Sequence, residues 1–360
     1  MQATIRRTPE EFIVEEIPAY LPSGRGEHLF VTFEKRGLTT PDAVRALAQA
    51  LGVDPRAAGF AGMKDRHAVT TQTASFPFPI ARDAEAAVRG LALPGIRLIS
   101  AARHDNKLKP GHLVGNRFTI TLSVTEGDAE GLAQRLREIG QTGVPNAFGP
   151  QRFGRDGDNP ARAMAWLAGK ERGPRAPREQ RFLFSALQSL LFNRVLDRRV
   201  EAGTWGTVLP GDVAKKHDTG GLFTVPLEGP ELEDARGRAA AGSLSATGPM
   251  FGAKMRWPEG EPAAIEREVL EQAAFEGAPL HFEGLRHLGE GTRRALRLHV
   301  AEMAAEIRGG EESTGASVVV ARFVLPKGGY ATTVLGRACR LVDATRPGSA
   351  ADDQDSPESS

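Results

Sequence analysis

The sequence has one cysteine, two tyrosines and three tryptophans in 360 residues. A lone thiol, Cys339, forms no internal disulfide and supplies no paired thiolates for a metal. Long apolar runs are missing too, since clusters such as Leu190-Leu191-Phe192 are soon broken by polar residues, and no membrane span is expected. The opening stretch from Met1 to Arg7 lacks the apolar core of a signal peptide, so a cytoplasmic location is expected.

Familiar reaction signatures are also absent. The eight histidines show no His-x-x-x-His or Cys-x-x-Cys partnering, which argues against a metal site. No Gly-x-x-x-x-Gly-Lys-Ser/Thr loop is there to cradle a nucleotide, and Gly59 to Gly62 is too short for a dinucleotide fingerprint. Gly-x-Ser-x-Gly is missing as well.

What is present is a chain 40% hydrophobic and 25% charged, long enough for two domains. Its net charge of +1 names no partner, but the distribution is uneven. Thr71 to Val200 carries twenty Lys and Arg against twelve Asp and Glu, whereas Glu201 to Gly310 carries twelve against seventeen. A basic middle beside an acidic stretch suits a nucleic-acid binder, and equally a scatter of solvated arginines.

Hydrophobic periodicity organises the chain. Phe12, Val14 and His28 to Phe33 alternate at period two, as in strands. A helix follows, with Thr40 as candidate N-cap, Pro41 at its first position, Val44, Leu47 and Leu51 on one face and Gly52 closing it. Strand patterns return at Ser75 to Phe78 and Arg117 to Val124, and Asp128 to Ile139 reads as a helix capped by Asp128. Helical spacing then runs over Asn159 to Leu167, Glu179 to Val200, Ala263 to Phe275 and Glu290 to Ile307, with Gly/Pro-rich loops such as Gly203 to Gly229 between. Ser317 to Leu325 reads as a strand that rejoins the first sheet. A helical insertion inside a discontinuous α/β domain is the simplest architecture, with a disordered tail from Ala344 to Ser360.

Three clusters carry chemistry. In the first, Gly59 to Gln72, Asp65 sits between Lys64 and Arg66, which favour its charged form and suit it to act as nucleophile or base in a cleft. The plainer reading is a loop acid in weak surface pairs. Ala61-Gly62 would let another backbone approach closely, and Thr70, Thr71 and Gln72 are placed to hydrogen-bond a polar substrate. The second cluster, Asn146 to Gly154, interleaves Phe148 and Phe153 with Asn146, Gln151 and Arg152: a stacking face, amides for base edges and a phosphate clamp, or a turn whose rings plug a core. In the third, Leu325 to Thr333, Tyr330 either stacks on a base or anchors the final helix.

Together these clusters resemble the TruD family of tRNA pseudouridine synthases over nearly the whole chain. The matching residues are Glu10 to Glu16 with Gly26-Glu27-His28; Ala61 to Asp65 with Thr70 and Gln72; Asn146 with Phe148-Gly149 and Gln151 to Gly154; Ser185-Ala186 with Leu191 to Asn193; and Leu325-Pro326 with Tyr330 to Thr332. The resemblance implies an α+β pseudouridine-synthase fold with a mixed, largely antiparallel sheet, interrupted by a mainly helical insertion. The expected divisions are 1–155 and 311–343 for the catalytic domain, 156–310 for the insertion and 344–360 for the tail. The resemblance implies conversion of uridine 13 of tRNA to pseudouridine without cofactor or metal; a monomer is expected. A non-catalytic RNA-binding protein or RNA chaperone on the same fold is the alternative, though binding alone does not need the acid. The family's catalytic aspartate falls on Asp65 and its active-site phenylalanine on Phe148. Arg6 matches a basic residue near the acid in the family, and Lys64, Asn146, Gln151, Arg152 and Tyr330 complete the expected substrate contacts. Ala147, where a bulkier aromatic is usual, and Gly336-Arg337, where Arg-Glu is common, depart from the pattern.

Overall fold

The structure is a computed structural model that describes residues 1–126, 128–149, 152–154, 156–273, 280, 282–309 and 317–345. The chain divides into two compact units, Met1–Gln141 with the residues from Val300 onward, and Thr142–His299. The divisions read from the sequence at 155/156 and 310/311 lie further along the chain than these. Beyond Thr345 the expected tail falls outside the described residues, while Ala344 still donates its N–H to the Ile5 carbonyl at 3.1 Å.

A ten-stranded mixed sheet is the frame of the first unit. Its main path runs Ala301–Arg308, Ser317–Pro326, Leu113–Glu126, Phe12–Pro18, Val69–Pro77, His28–Lys35 and Ile96–His104. Phe12–Pro18 lies parallel to Val69–Pro77 and Gln2–Ile5 parallel to Arg340–Asp343, and the other pairings of this sheet are antiparallel. Ser317–Pro326 joins Leu113–Glu126, so the chain returns to its first sheet after the intervening unit. The alternation in His28–Lys35 sends Leu29, Val31 and Phe33 into a core with Phe76 and Phe78, closed by Val44, Leu47 and Leu51 of the helix Thr40–Leu51.

That helix corrects one detail of the sequence reading. Its N-cap is Thr39, whose hydroxyl accepts from the Asp42 N–H at 3.3 Å, and Thr40 is the first helical residue with its hydroxyl turned inward. Both threonines fit the cap by residue type, and the buried partners of Thr40 decide between them. Gly52 closes the helix at φ +68°. The helix Ala129–Thr142 is capped by Asp128, whose carboxylate accepts from Glu130 and Gly131, each at 2.9 Å.

The second unit holds the helices Asn159–Leu167, Pro177–Glu201, Pro230–Ala240 and Gly260–Gln272. Pro177–Glu201 is buried on two sides. Leu183, Phe184, Leu187 and Leu191 belong to one core, Phe192 and Leu196 to another. A four-stranded sheet, ordered Leu222–Thr224, Val213–Lys216, Leu244–Met250 and Thr292–Ala295, lies in this unit, where the sequence reads only loops and helices.

The helix expected over Glu290 to Ile307 is not formed. The segment makes the strands Thr292–Ala295, Arg297–Leu298 and Ala301–Arg308. Its Ala, Glu, Leu, Met and Arg content favours helix, but such preferences amount to fractions of a kcal/mol per residue and yield to tertiary pairing. Here each strand has a waiting partner, and Arg293 is drawn inside by a bidentate pair with Glu266, at 2.6 and 2.8 Å.

Candidate active site

In the first unit, Asp65 follows the short strand Gly59–Phe60, and its loop is pinned from several directions. Gly59 is required for close approach, because a Cβ there would lie 2.1 Å from the Leu108 carbonyl oxygen. At Gly62 the nearest atom to such a Cβ is 3.6 Å away, so the tight backbone contact falls on the first glycine of the stretch. Ala61 packs with Phe30, Leu108 and Leu113, and its carbonyl accepts from the Gly111 N–H at 2.8 Å.

Buried polar groups hold the chain at Lys64 and Asp65. Thr40 Oγ1 accepts the Lys64 N–H at 2.9 Å and donates to Gln72 Oε1 at 3.1 Å. Lys64 Nζ turns away from Asp65 to a buried ion pair with Glu16, the two side chains being 5% and 3% exposed. Lys35 Nζ donates to the main-chain carbonyl of Asp65 at 2.7 Å. Thr70 and Gln72, read as substrate contacts, are buried: they share the inward face of Val69–Pro77 with Phe76.

The carboxylate itself stays 36% exposed on its side chain. Asp65 Oδ1 accepts the His67 N–H at 2.9 Å, and Oδ2 meets Arg6 at 2.9 Å. Arg6 also reaches Asp343 at 2.6 Å and lies over the Phe12 ring, 4.0 Å from its centroid. The cation beside Asp65 is therefore Arg6; Arg66 directs its Nε to the Gly37 carbonyl at 3.2 Å. Burial raises the Asp343 carboxyl, but hydrogen bonds from Thr345 and the Arg6 charge outweigh that and hold it below the ordinary carboxylate range. A partly solvent-facing carboxylate with one oxygen held by a guanidinium and the other by a backbone N–H is equipped to attack, or stabilise, an electron-poor carbon.

The second unit contains the aromatic cluster. The amide of Asn193 brackets the backbone of Phe148, accepting its N–H at 2.9 Å and donating to its carbonyl at 3.0 Å. The Phe148 ring meets Phe192 edge-on at 5.5 Å, and the Arg294 guanidinium lies 4.1 Å from the ring centroid. Arg152 is 5.7 Å from the same centroid and donates to Ser189 at 3.1 Å. Asn146 is 8% exposed: it donates to the Ala295 carbonyl at 2.8 Å and accepts from Arg294 at 2.6 Å. The ring is half-buried against a core and its face forms a cation–π pair with Arg294.

Tyr330 is 46% exposed and precedes the final helix Ala331–Ala338. Gln151 lies outside the described residues. Sequence reasoning missed Lys35, Glu16, Asp343 and Arg294. Lys35 had a signal: the alternation Leu29, Val31, Phe33, extended by one step, puts a lysine on the core face. Among the described residues no helix is long and apolar enough to cross a membrane, and no group of three or more His, Cys, Asp or Glu is placed to hold a metal ion.

Comparison with known proteins adds to this geometry. A family model described as tRNA pseudouridine synthase D (TruD) matches residues 1–164 and 176–338. The chain is 46% identical over 342 residues to a tRNA pseudouridine synthase D of Anaeromyxobacter sp. (strain Fw109-5), covering 92% of this chain and 91% of the relative. It is 43% identical over 339 residues to a protein of the same name from Thermus thermophilus, covering 94% of this chain and 88% of that relative. A TruD crystal structure from Methanosarcina mazei superposes with a TM-score of 0.79 at 26% identity, covering 94% of this chain and 93% of that one.

Proposed function

The chain belongs to the TruD family of tRNA pseudouridine synthases, enzymes of the isomerase class, and from that premise we propose that it converts uridine 13 of tRNA to pseudouridine with Asp65 as the catalytic carboxylate. We extend the proposal to a cytoplasmic monomer that needs no cofactor.

The reaction breaks the N1–C1′ glycosidic bond, turns the uracil and forms a C5–C1′ bond, while the proton on C5 is lost and N1 gains one. The ribose passes through an electron-poor state at C1′. Asp65 answers it by covalent attack, by electrostatic stabilisation or by taking a ribose proton to give a glycal. The single observation that carries the proposal is the Asp65 carboxylate, open to solvent yet fixed at 2.9 Å by Arg6. Arg6 holds the charge in place and Asp343 holds Arg6.

The uridine leaves its stack before it reacts, at a cost of a few kcal/mol, and aromatic and cationic side chains offset that cost. We assign RNA contacts to Phe148 and Arg152 of the second unit and to Tyr330 of the first. The Asn146 amide, engaged with Arg294, orients that guanidinium over the Phe148 ring.

Carbodiimide-mapped primer extension on tRNA incubated with the pure protein tests the reading. A new stop at uridine 13 with wild type and none with Asp65→Asn is expected. The amide keeps the acceptor for His67 but loses the charge, which corresponds to at least about a hundredfold in rate. Pseudouridine at a different position removes the site assignment, and an active Asp65→Asn enzyme removes the acid.

A further inference from the structure

The strand His28–Lys35 ends on a charge with no access to solvent. Leu29, Val31, Phe33 and Lys35 follow one another on the core face and all are 0% exposed. Thr70 and Ile96 are the cross-strand partners of Lys35. An aliphatic side chain would fill that space without the desolvation penalty of an ammonium, so packing alone does not account for a lysine. The acceptor it reaches is the main-chain carbonyl of Asp65.

We propose that Lys35 is a positioning residue for Asp65: its ammonium grips the acid's own carbonyl from the core side, fixes the backbone from which the carboxylate reaches Arg6, and sets a positive charge behind it, so that turnover requires Lys35 in its charged form. This rests on the reading of Asp65 as the acid that acts on the ribose.

The groups around the ammonium give the proposal its pH signature. Asp65 and Lys64 are the charged residues that act on it; Arg6 is paired with the Asp65 carboxylate, Glu16 with Lys64, and Arg66 faces the Gly37 carbonyl. Thr40, Thr70 and Gln72, from the helix and strand alongside, do not ionise in this range. Burial pushes the lysine down, Asp65 pulls it up and Lys64 pushes it down again, leaving it at about 8 against an ordinary 10.5. Between those values the unfolded chain holds a proton that the folded chain has released. The stability contribution of Lys35 therefore grows as pH rises through the window, while its contribution to turnover falls. A lysine that served the fold alone would not separate the two.

The test is single-turnover pseudouridine formation on tRNA from about pH 6.5 to 9.5 with wild type, Lys35→Met, Lys35→Arg and Asp65→Asn, with thermal melting of the same samples. Wild-type turnover should fall toward tenfold per pH unit above about 8. Folded Lys35→Met should bind tRNA within about threefold of wild type, turn over at least about tenfold more slowly at pH 7, and show no such limb. Lys35→Arg, which stays charged throughout, should outpace wild type at the alkaline end. A Lys35→Met enzyme with the wild-type rate and limb, beside an inactive Asp65→Asn, overturns the proposal and leaves Asp65 standing. An active Asp65→Asn instead overturns the reading of the acid. Should Lys35→Met fail to fold, wild type alone decides: turnover that is flat above pH 8, or that falls only in step with melting temperature, overturns the proposal.

Discussion

Arg6 reaches Asp65 from a backbone conformation that its residue type disfavours. Its φ is +60°, in the left-handed region, and its guanidinium meets the carboxylate at 2.9 Å. A non-glycine residue in that region carries strain of order 1 kcal/mol or more, and it persists because the surrounding contacts over-determine it. Those contacts are Asp65, Asp343 and the face of Phe12.

Two variants at this position separate backbone from side chain. Arg6→Ala keeps the strain and loses the guanidinium, whereas Arg6→Gly loses both. Glycine should therefore be the more stable of the two by about 1 kcal/mol, read from denaturant melts, although it is ordinarily the more costly residue. Both should lose about a hundredfold or more in single-turnover rate, because each leaves the Asp65 carboxylate without its guanidinium partner. If Arg6→Gly turned over like wild type, the guanidinium would have no part in the chemistry.

Lys64 and Glu16 yield a prediction about the fold. Their side chains are almost wholly buried, so Lys64→Met should leave an uncompensated carboxylate inside and destabilise the unit by about 3–5 kcal/mol. Adding Glu16→Leu should restore most of that loss. A double-mutant cycle by chemical denaturation measures the coupling. If Lys64→Met were as stable as wild type but bound tRNA weakly, the lysine would belong to the RNA instead.

How far the sequence disclosed the site follows from what a side chain needs in order to be recognised. Asp65 stood out in the sequence as an acid between two cations, but it was the resemblance that marked it, and Arg6 in a short stretch, as candidate site residues. Lys64 and Arg66 looked like its partners by adjacency. Adjacency does not make a pair, however: the structure sends Lys64 to Glu16 and Arg66, in the turn that follows Asp65, to the Gly37 carbonyl. Asp343 and Arg294 were invisible for another reason: they are brought to Arg6 and Phe148 by pairing of distant segments, Arg340–Asp343 on Gln2–Ile5 and Arg297–Leu298 on Val144–Pro145. The second of these falls within the segment read as a helix, so the same misreading that lost the strands also hid the arginine.

Binding to tRNA should weaken steeply with salt. The excess of Lys and Arg between Thr71 and Val200 would displace counterions from phosphates, and loss of affinity by about tenfold or more is expected between roughly 50 and 200 mM salt. Filter binding against salt measures the slope. A flat response would remove RNA from the reading of that segment. Not every arginine there contributes, since Arg103 is committed to the carbonyls of Gly26, Phe78 and Pro79.

Phe148 divides packing from recognition. Its ring lies against Phe192 and beneath Arg294, within the cluster that includes Leu296 and Ala246. Complete burial would make Phe148→Ala cost about 3–5 kcal/mol; with the ring only half-buried, about 2–3 kcal/mol is expected, including the lost cation–π contact. Phe148→Leu should recover most of that stability, because it refills the space against Phe192. It cannot recover aromatic stacking, which contributes roughly 1–3 kcal/mol per base in RNA complexes. The comparison therefore turns on leucine. A Leu variant that melts near wild type while single-turnover pseudouridine formation stays about tenfold or more slower assigns the ring to the RNA, since packing has been restored and chemistry has not. A Leu variant that regains both assigns it to the core, with Arg294 and Asn146 as its supports.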